Sequence, residues 1–186
     1  LFTEFTDWEV SSPPFPRIPY ADSLMRFGTD KPDLRFGLEM QDLSSLFGDA
    51  DFRVFRQIVE TGGVVRALVI EQGAAQSRRF FTELESWATE AGGAGLAWLT
   101  TTADGFGGPI ARALGQELAT RIVAATDAGE GSAILLFAGP EAATASLGGE
   151  LRLHLADLLS MRQEGGFRFC WIVDFPMYAA DEETGG

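Results

Sequence analysis

Gly62-Gly63-Val64-Val65-Arg66-Ala67-Leu68-Val69-Ile70 is the stretch on which the fold turns. Two glycines supply a turn, and the β-branched run after them makes Val64 to Ile70 a strand. Ser77 then stands at the N-cap position of a helix from Arg78 to about Ala91. In that helix Phe80, Phe81, Leu84, Trp87, Ala88 and Ala91 recur at the three-and-four spacing of one buried face, and Gly92-Gly93 ends it. Leu96 to Thr101 reads as the next strand and Asp104 to Pro109 as a loop. Pro109 starts a second helix, striped by Ile110, Leu114, Leu118 and Ile122. Gly129-Glu130-Gly131 turns into Ala133–Phe137, a short continuous apolar strand. Gly139-Pro140-Glu141 opens a third helix, lined by Leu147, Leu151, Leu155 and Leu158.

Upstream of this alternation the chain is irregular. Ser11 to Pro19 holds four prolines, each fixing φ and removing a donor, so the stretch is extended. Pro19 leads into a short helix from Tyr20 to Phe27 that stops at Gly28. Thr29 to Asp33 reads as a turn, and Leu38 to Phe47 as a strand followed by a short helix. At the far end, Phe167 to Phe175 is apolar on both sides, which places it as one strand in the middle of a covered sheet. The acidic, glycine-rich tail from Asp181 to Gly186 reads as frayed. Helices and strands without a strict βαβ repeat give an α+β domain with helices layered on one sheet.

Composition narrows the function. With 186 residues the chain can bury one good core plus flanking segments. No apolar run reaches the length of a bilayer span. Leu1 to Phe5 carries no basic region followed by an apolar stretch, which argues against a secretory signal. The missing initiator Met suggests a chain cut from something longer. Net charge is −13, from 27 acidic against 14 basic residues, so this is not a surface built chiefly to grip nucleic acid. Lys31 is the only lysine, and the arginines read mainly as surface ion pairs.

Candidate chemistry is sparse. Cys170 is the single cysteine and His154 the single histidine, which excludes disulfides within the chain, cysteine metal clusters and every motif that needs two histidines. His154 flanks the apolar stripe of the third helix and reads as a half-buried structural residue. Cys170 sits within the last strand and reads as an inert small hydrophobe. Gly105-Phe106-Gly107-Gly108 precedes a helix but matches no phosphate-loop pattern, so it reads as a surface turn. Glu83, Glu85 and Glu90 read as solvated faces.

Longer landmarks say more. Phe15-Pro16-Arg17-Ile18-Pro19-Tyr20-Ala21, followed by Arg26-Phe27-Gly28-Thr29-Asp30-Lys31-Pro32-Asp33-Leu34-Arg35, resembles bacterial-type aspartyl-tRNA synthetases in sequence and spacing. Trp171-Ile172-Val173-Asp174-Phe175-Pro176-Met177-Tyr178 resembles the family's strand ending in DFP, and Phe169-Cys170-Trp171 is similar to α-proteobacterial versions. Ser77-Arg78, Gly95-Leu96-Ala97-Trp98 and Gly108-Pro109-Ile110-Ala111 fall between these landmarks in family order. Gly149-Glu150-Leu151-Arg152 resembles a family helix motif, although Ala156 stands where the family has glycine.

The resemblance implies an internal piece of the ligase. It assigns residues 1–46 to one edge of a class II catalytic core, 47–165 to the inserted GAD domain, and 166–186 to the return into the core. The implied insertion is a GAD/DCoH-like two-layer sandwich, a mainly antiparallel sheet with helices on one face. The implied parent reaction is ATP- and magnesium-dependent activation of aspartate and its transfer to tRNA(Asp), with tRNA(Asn) a second candidate. The implied parent is a cytoplasmic homodimer with no membrane or DNA partner. Family site residues lie outside this stretch, so the expected catalytic, cofactor-binding and metal residues within it are none, and the piece is expected to be inactive and to bind no cofactor itself. The alternative is a free-standing protein–protein or tRNA-binding module related to the amidotransferase B subunit. A small independent enzyme is a third reading, with no site to support it.

Overall fold

The computed structural model describes residues 2–162 and 164–178. In chain order they form α1 (Phe2–Phe5), β1 (Glu9–Val10), β2 (Arg17–Pro19), α2 (Tyr20–Phe27), β3 (Gln41–Asp42), α3 (Ser44–Phe47), α4 (Arg53–Glu60), β4 (Val64–Ile70), α5 (Arg78–Glu90), β5 (Ala97–Thr102), β6 (Gly105–Gly107), α6 (Ala111–Thr126), β7 (Ala133–Gly139), α7 (Glu141–Leu158), β8 (Gly166–Phe167) and β9 (Trp171–Val173). A short 3-10 turn, Gly73–Ala75, follows β4. The tail expected to fray, residues 181–186, lies outside the described residues.

The body is a five-stranded antiparallel sheet in the order β3-β4-β7-β5-β6. The α+β class and the antiparallel sheet agree with the sequence reading. The helices, however, cover both faces of the sheet. Along a strand successive side chains point to opposite faces, and here both sets are apolar. Val65, Ala67, Ile134, Leu136 and Leu99 face a core completed by Leu43, Phe47 and Phe55 from the α3–α4 side and Leu118 and Ile122 from α6. Leu68, Ile70, Ala133, Leu135 and Phe137 face a second core completed by Phe81 and Leu84 of α5 and by Leu147, Leu151 and Leu155 of α7. The central strand β7 is buried on both sides from Ala133 to Phe137. A continuous apolar run signals this kind of double coverage.

Three further differences have local causes. Helix α4 is striped by Phe55, Ile58 and Val59 with arginines opposite, a short amphipathic pattern that the glycine-led reading of this region passed over. The expected loop around Gly105 instead pairs with β5 as the edge strand β6, because Gly105-Phe106-Gly107 lies opposite Thr100 to Thr102. Finally, β3 and α3 belong to the sandwich, although the reading placed them in the edge ending at residue 46. Gln41 and Asp42 pair with β4, and Leu43 and Phe47 are buried in the first core. The N-cap at Ser77 is as expected, its hydroxyl oxygen accepting from the Phe80 N–H at 3.2 Å.

The two ends of the chain meet outside this body. Arg17–Pro19 pairs in parallel with Trp171–Val173, and Glu9–Val10 with Gly166–Phe167. Phe167 to Phe175 is therefore two short strands in two small parallel sheets, each paired on one side only. Trp171 and Phe175 remain more than half exposed. Apolar side chains alone do not cover a strand; neighbouring layers must, and the described residues supply few here.

Helix α2 docks on α7 through glycines. Gly28 caps α2 at φ +71, and a Cβ there would meet the Ala145 carbonyl oxygen at 2.2 Å and the Gly149 Cα at 2.7 Å. Gly149 in turn leaves room for the Phe27 carbonyl, and Gly148 on the sheet side leaves room for Met40 and Phe137. The glycine pair lets α7 lie close to the sheet and α2 together. Gly28→Ala should cost about 2–4 kcal/mol, a left-handed backbone plus overpacking. Gly62→Ala, at φ +84 with nothing within 4 Å, should cost only about 1 kcal/mol. Urea unfolding of both variants tests the difference, and equal costs would remove the close approach from the account.

Carboxylates tie the same region to arginines. Asp33 is held below the usual carboxylate range, first by hydrogen bonds from the Arg35 guanidinium and with help from the charge of Arg162, against partial burial. For Asp42 burial pushes upward, but hydrogen bonds from Ser44 and the buried Arg66 on β4 outweigh it. A carboxyl whose folded value lies below its unfolded value, about 3.9, stabilises the protein above that pH, and the contribution disappears as pH falls through the folded value. Thermal melts should therefore show an acid-side loss of stability below about pH 4. Asp33→Asn and Asp42→Asn should each flatten it, whereas an unchanged acid limb in both would contradict the assignment.

Candidate functional site

Among the described residues, two places set polar side chains beside buried aromatic rings. The first is the junction between α7 and the segment leading out of α2. Arg152 on α7 is 1% exposed. Its Nε donates to the Leu38 carbonyl at 3.0 Å, and one terminal nitrogen donates to the carbonyls of Asp33, Phe36 and Gly37 at 2.6, 3.3 and 3.2 Å. The guanidinium also lies over the Phe36 and Phe27 rings, 4.2 and 4.9 Å from their centroids. Burial lowers its pKa to about 10, with the charges of Asp33 and Glu39 opposing, so it stays a cation at neutral pH. A planar fork of donors suits four converging carbonyls better than a lysine would.

The arrangement is a clamp rather than a reacting centre, because the donors of Nε and one terminal nitrogen are spent on backbone oxygens. It went unread in the sequence, where Arg152 appeared only as part of a helix motif. The available signal was its position: Gly148, Arg152 and Ala156 follow one another at four-residue spacing, along the buried side of α7.

The second place is a cavity of 530 Å³ between the start of α5 and the β5–β6 hairpin. Trp98 of β5 stacks on Phe81 of α5, with ring centroids 4.0 Å apart and planes 13° apart. Its indole N–H donates to Glu85 at 2.9 Å. Glu85 is thus a positioning group for the indole, not one of the solvated carboxylates it was read as. Arg78, exposed at the first turn of α5, and Gln76 and Thr100 border the same space.

The remaining candidates stay apart from both places. His154 is half-buried with its imidazole stacked on Trp87 at 4.5 Å and 5°, consistent with the structural reading. Cys170 is partly buried near the chain ends, and burial raises its thiol pKa, which disfavours the reactive thiolate. Glu83 pairs with Arg79 at 2.7 Å on the surface of α5. Among the described residues no three His, Cys, Asp or Glu side chains group as a metal site, and no helix is long and apolar enough to cross a membrane.

Known proteins place this architecture. The aspartate–tRNA(Asp/Asn) ligase of Zymomonas mobilis is 41% identical over 185 residues, which is 99% of this chain and 31% of that protein. The Rickettsia bellii aspartate–tRNA(Asp/Asn) ligase is 39% identical over 186 residues and the Streptomyces griseus aspartate–tRNA ligase 42% identical over 186 residues. The chain thus spans about 30% of the length of the curated relatives it matches. Within it the GAD domain model matches residues 55–147, from the first turn of α4 across four of the five strands, β4 to β7, into α7. The sheet, its flanking helices and that match together make the chain a member of the GAD domain family.

Proposed function

We propose that this chain is the insertion-bearing portion of an aspartate–tRNA ligase, in which it serves as a folded spacer and positioning domain. The observation that carries the reading is similarity from end to end: 39–42% identity over 185–186 residues to ligases of three bacterial groups. The topology supports it. An insertion must leave and rejoin its host at one place, and β2 and β9 pair side by side although one ends at Pro19 and the other begins at Trp171.

On this reading the parent enzyme activates aspartate with ATP and magnesium and transfers it to tRNA(Asp), with tRNA(Asn) a further acceptor. The relatives that are tRNA(Asp/Asn) ligases favour that second acceptor. The parent acts in the cytoplasm as a homodimer. The GAD insertion runs from about residue 40, where Met40 enters the second core, to about residue 165, and the segments on either side belong to the catalytic core. No residue of this chain performs the chemistry, and it holds neither ATP nor magnesium by itself. The Arg152 clamp supports this, since its donors are directed at backbone carbonyls.

A chimera tests the reading. The segment replaces its counterpart in the Zymomonas ligase, and aspartate-dependent pyrophosphate exchange and tRNA charging are measured beside the isolated chain. The chimera should retain both activities while the chain alone shows neither. Exchange by the chain alone, or a folded chimera that cannot charge tRNA, would overturn the proposal.

A further inference from the structure

The cavity beside Trp98 has features that a structural role does not use. Arg78 at the start of α5, Trp98 of β5, and Gly108 and Pro109 just after β6 line it together. Phe81 is 3% exposed and Trp98 half-buried, so the ring surface that the stacked pair leaves open is indole. Glu85 fixes the indole in its plane through the N–H.

Thr100 adds an independent sign. It is 8% exposed and lies on the same face of β5 as Trp98, two residues on, bordering the cavity. Among the described residues its hydroxyl makes no hydrogen bond, and it is not among the polar atoms sealed from solvent. A hydroxyl that faces the cavity without a protein partner can donate to or accept from a ligand. Gly107 keeps this one open, since a Cβ there would lie 2.6 Å from the Thr100 oxygen. Arg78 likewise forms no ion pair among the described residues. By contrast its neighbour Arg79 is paired with Glu83.

We infer that this cavity binds a single unpaired nucleotide, the base against the Trp98 indole, its polar edge at the Thr100 hydroxyl and its phosphate at Arg78. Indole surfaces accept any base by stacking, and an arginine takes one phosphate. The volume falls within the range of small-ligand sites. Arg78 as the one cation lining the cavity among the described residues, in a chain of net charge −13, suits one phosphate and not a tracked strand. A nucleotide of an RNA and a free mononucleotide share this chemistry. The RNA source rests on the ligase reading above, whereas the site itself does not, so its failure leaves the chimera result untouched.

The test follows the indole N–H resonance of Trp98, assigned with Trp98→Phe, in the full 186-residue chain. AMP and CMP in the millimolar range should shift it, and inorganic phosphate and N-acetyl-tryptophan amide should not. Arg78→Ala, at an exposed position with no ion pair to lose among the described residues, should weaken AMP about fivefold. Gly107→Ala, which would cover the hydroxyl, and Thr100→Val should weaken it as well. A tRNA(Asp) transcript that shifts the resonance at lower concentration than AMP identifies RNA as the source, and its salt slope should fall by about 0.7 in Arg78→Ala. A response to AMP without one to the transcript identifies the free nucleotide. No shift with either, or a shift reproduced by phosphate alone or indifferent to Arg78, would overturn the inference.

Discussion

The buried Arg152 guanidinium holding the carbonyls of Asp33, Phe36, Gly37 and Leu38 is the constraint on which the joining of the incoming chain to the sheet depends. An arginine taken out of water costs several kcal/mol unless its donors are met. Here that need fixes the path of residues 33–38, which would otherwise be an irregular loop with unsatisfied oxygens. The loop then places Met40 and Leu43 in the two cores and lets β3 reach the sheet edge. Two glycines on α7 and one at the end of α2 make room for the same contact. A single helix thus packs on the sheet with its leucines and gathers the incoming chain with its arginine.

On the proposed reading, that geometry explains how the domain is inserted without disturbing its host. The sheet is closed over on both faces by its own helices, so its stability does not rely on the flanks. The flanks leave from one side and pair with each other in parallel. The apolar side chains of Trp8, Trp171 and Phe175 stay exposed there, an expected signature of surface made to be covered by something larger than this chain.

Much of the body was legible in the sequence because local signals and global fold agree. The Ser77 cap, the glycine stop at Gly28 and the strands at Val64 and Ala133 are each set by a few neighbouring residues. Other features depend on distance. Whether an apolar run is covered on both faces is decided by helices far along the chain, so β7 was read as a strand but not as the centre. Phe167 to Phe175 misled for the same reason in reverse: its pattern is that of a covered strand, while its covering lies elsewhere. At the polar sites, residue type alone carried little. Cys170, read as part of a buried strand, lies just before β9 and is only partly buried, and Arg152, Glu85 and Thr100 gain their roles from partners 13 to 119 residues away or from the lack of one. No spacing rule finds such partners.

The most direct test of the clamp is hydrogen–deuterium exchange on the full chain and on Arg152→Met, a side chain of similar length without donors. Loss of protection confined to residues 29–43 and α2, with β4, β5 and β7 still protected, is the predicted result. Unchanged protection in residues 29–43, or loss spread evenly over the sheet, would contradict the claim that Arg152 joins the incoming segment to an independently stable sandwich.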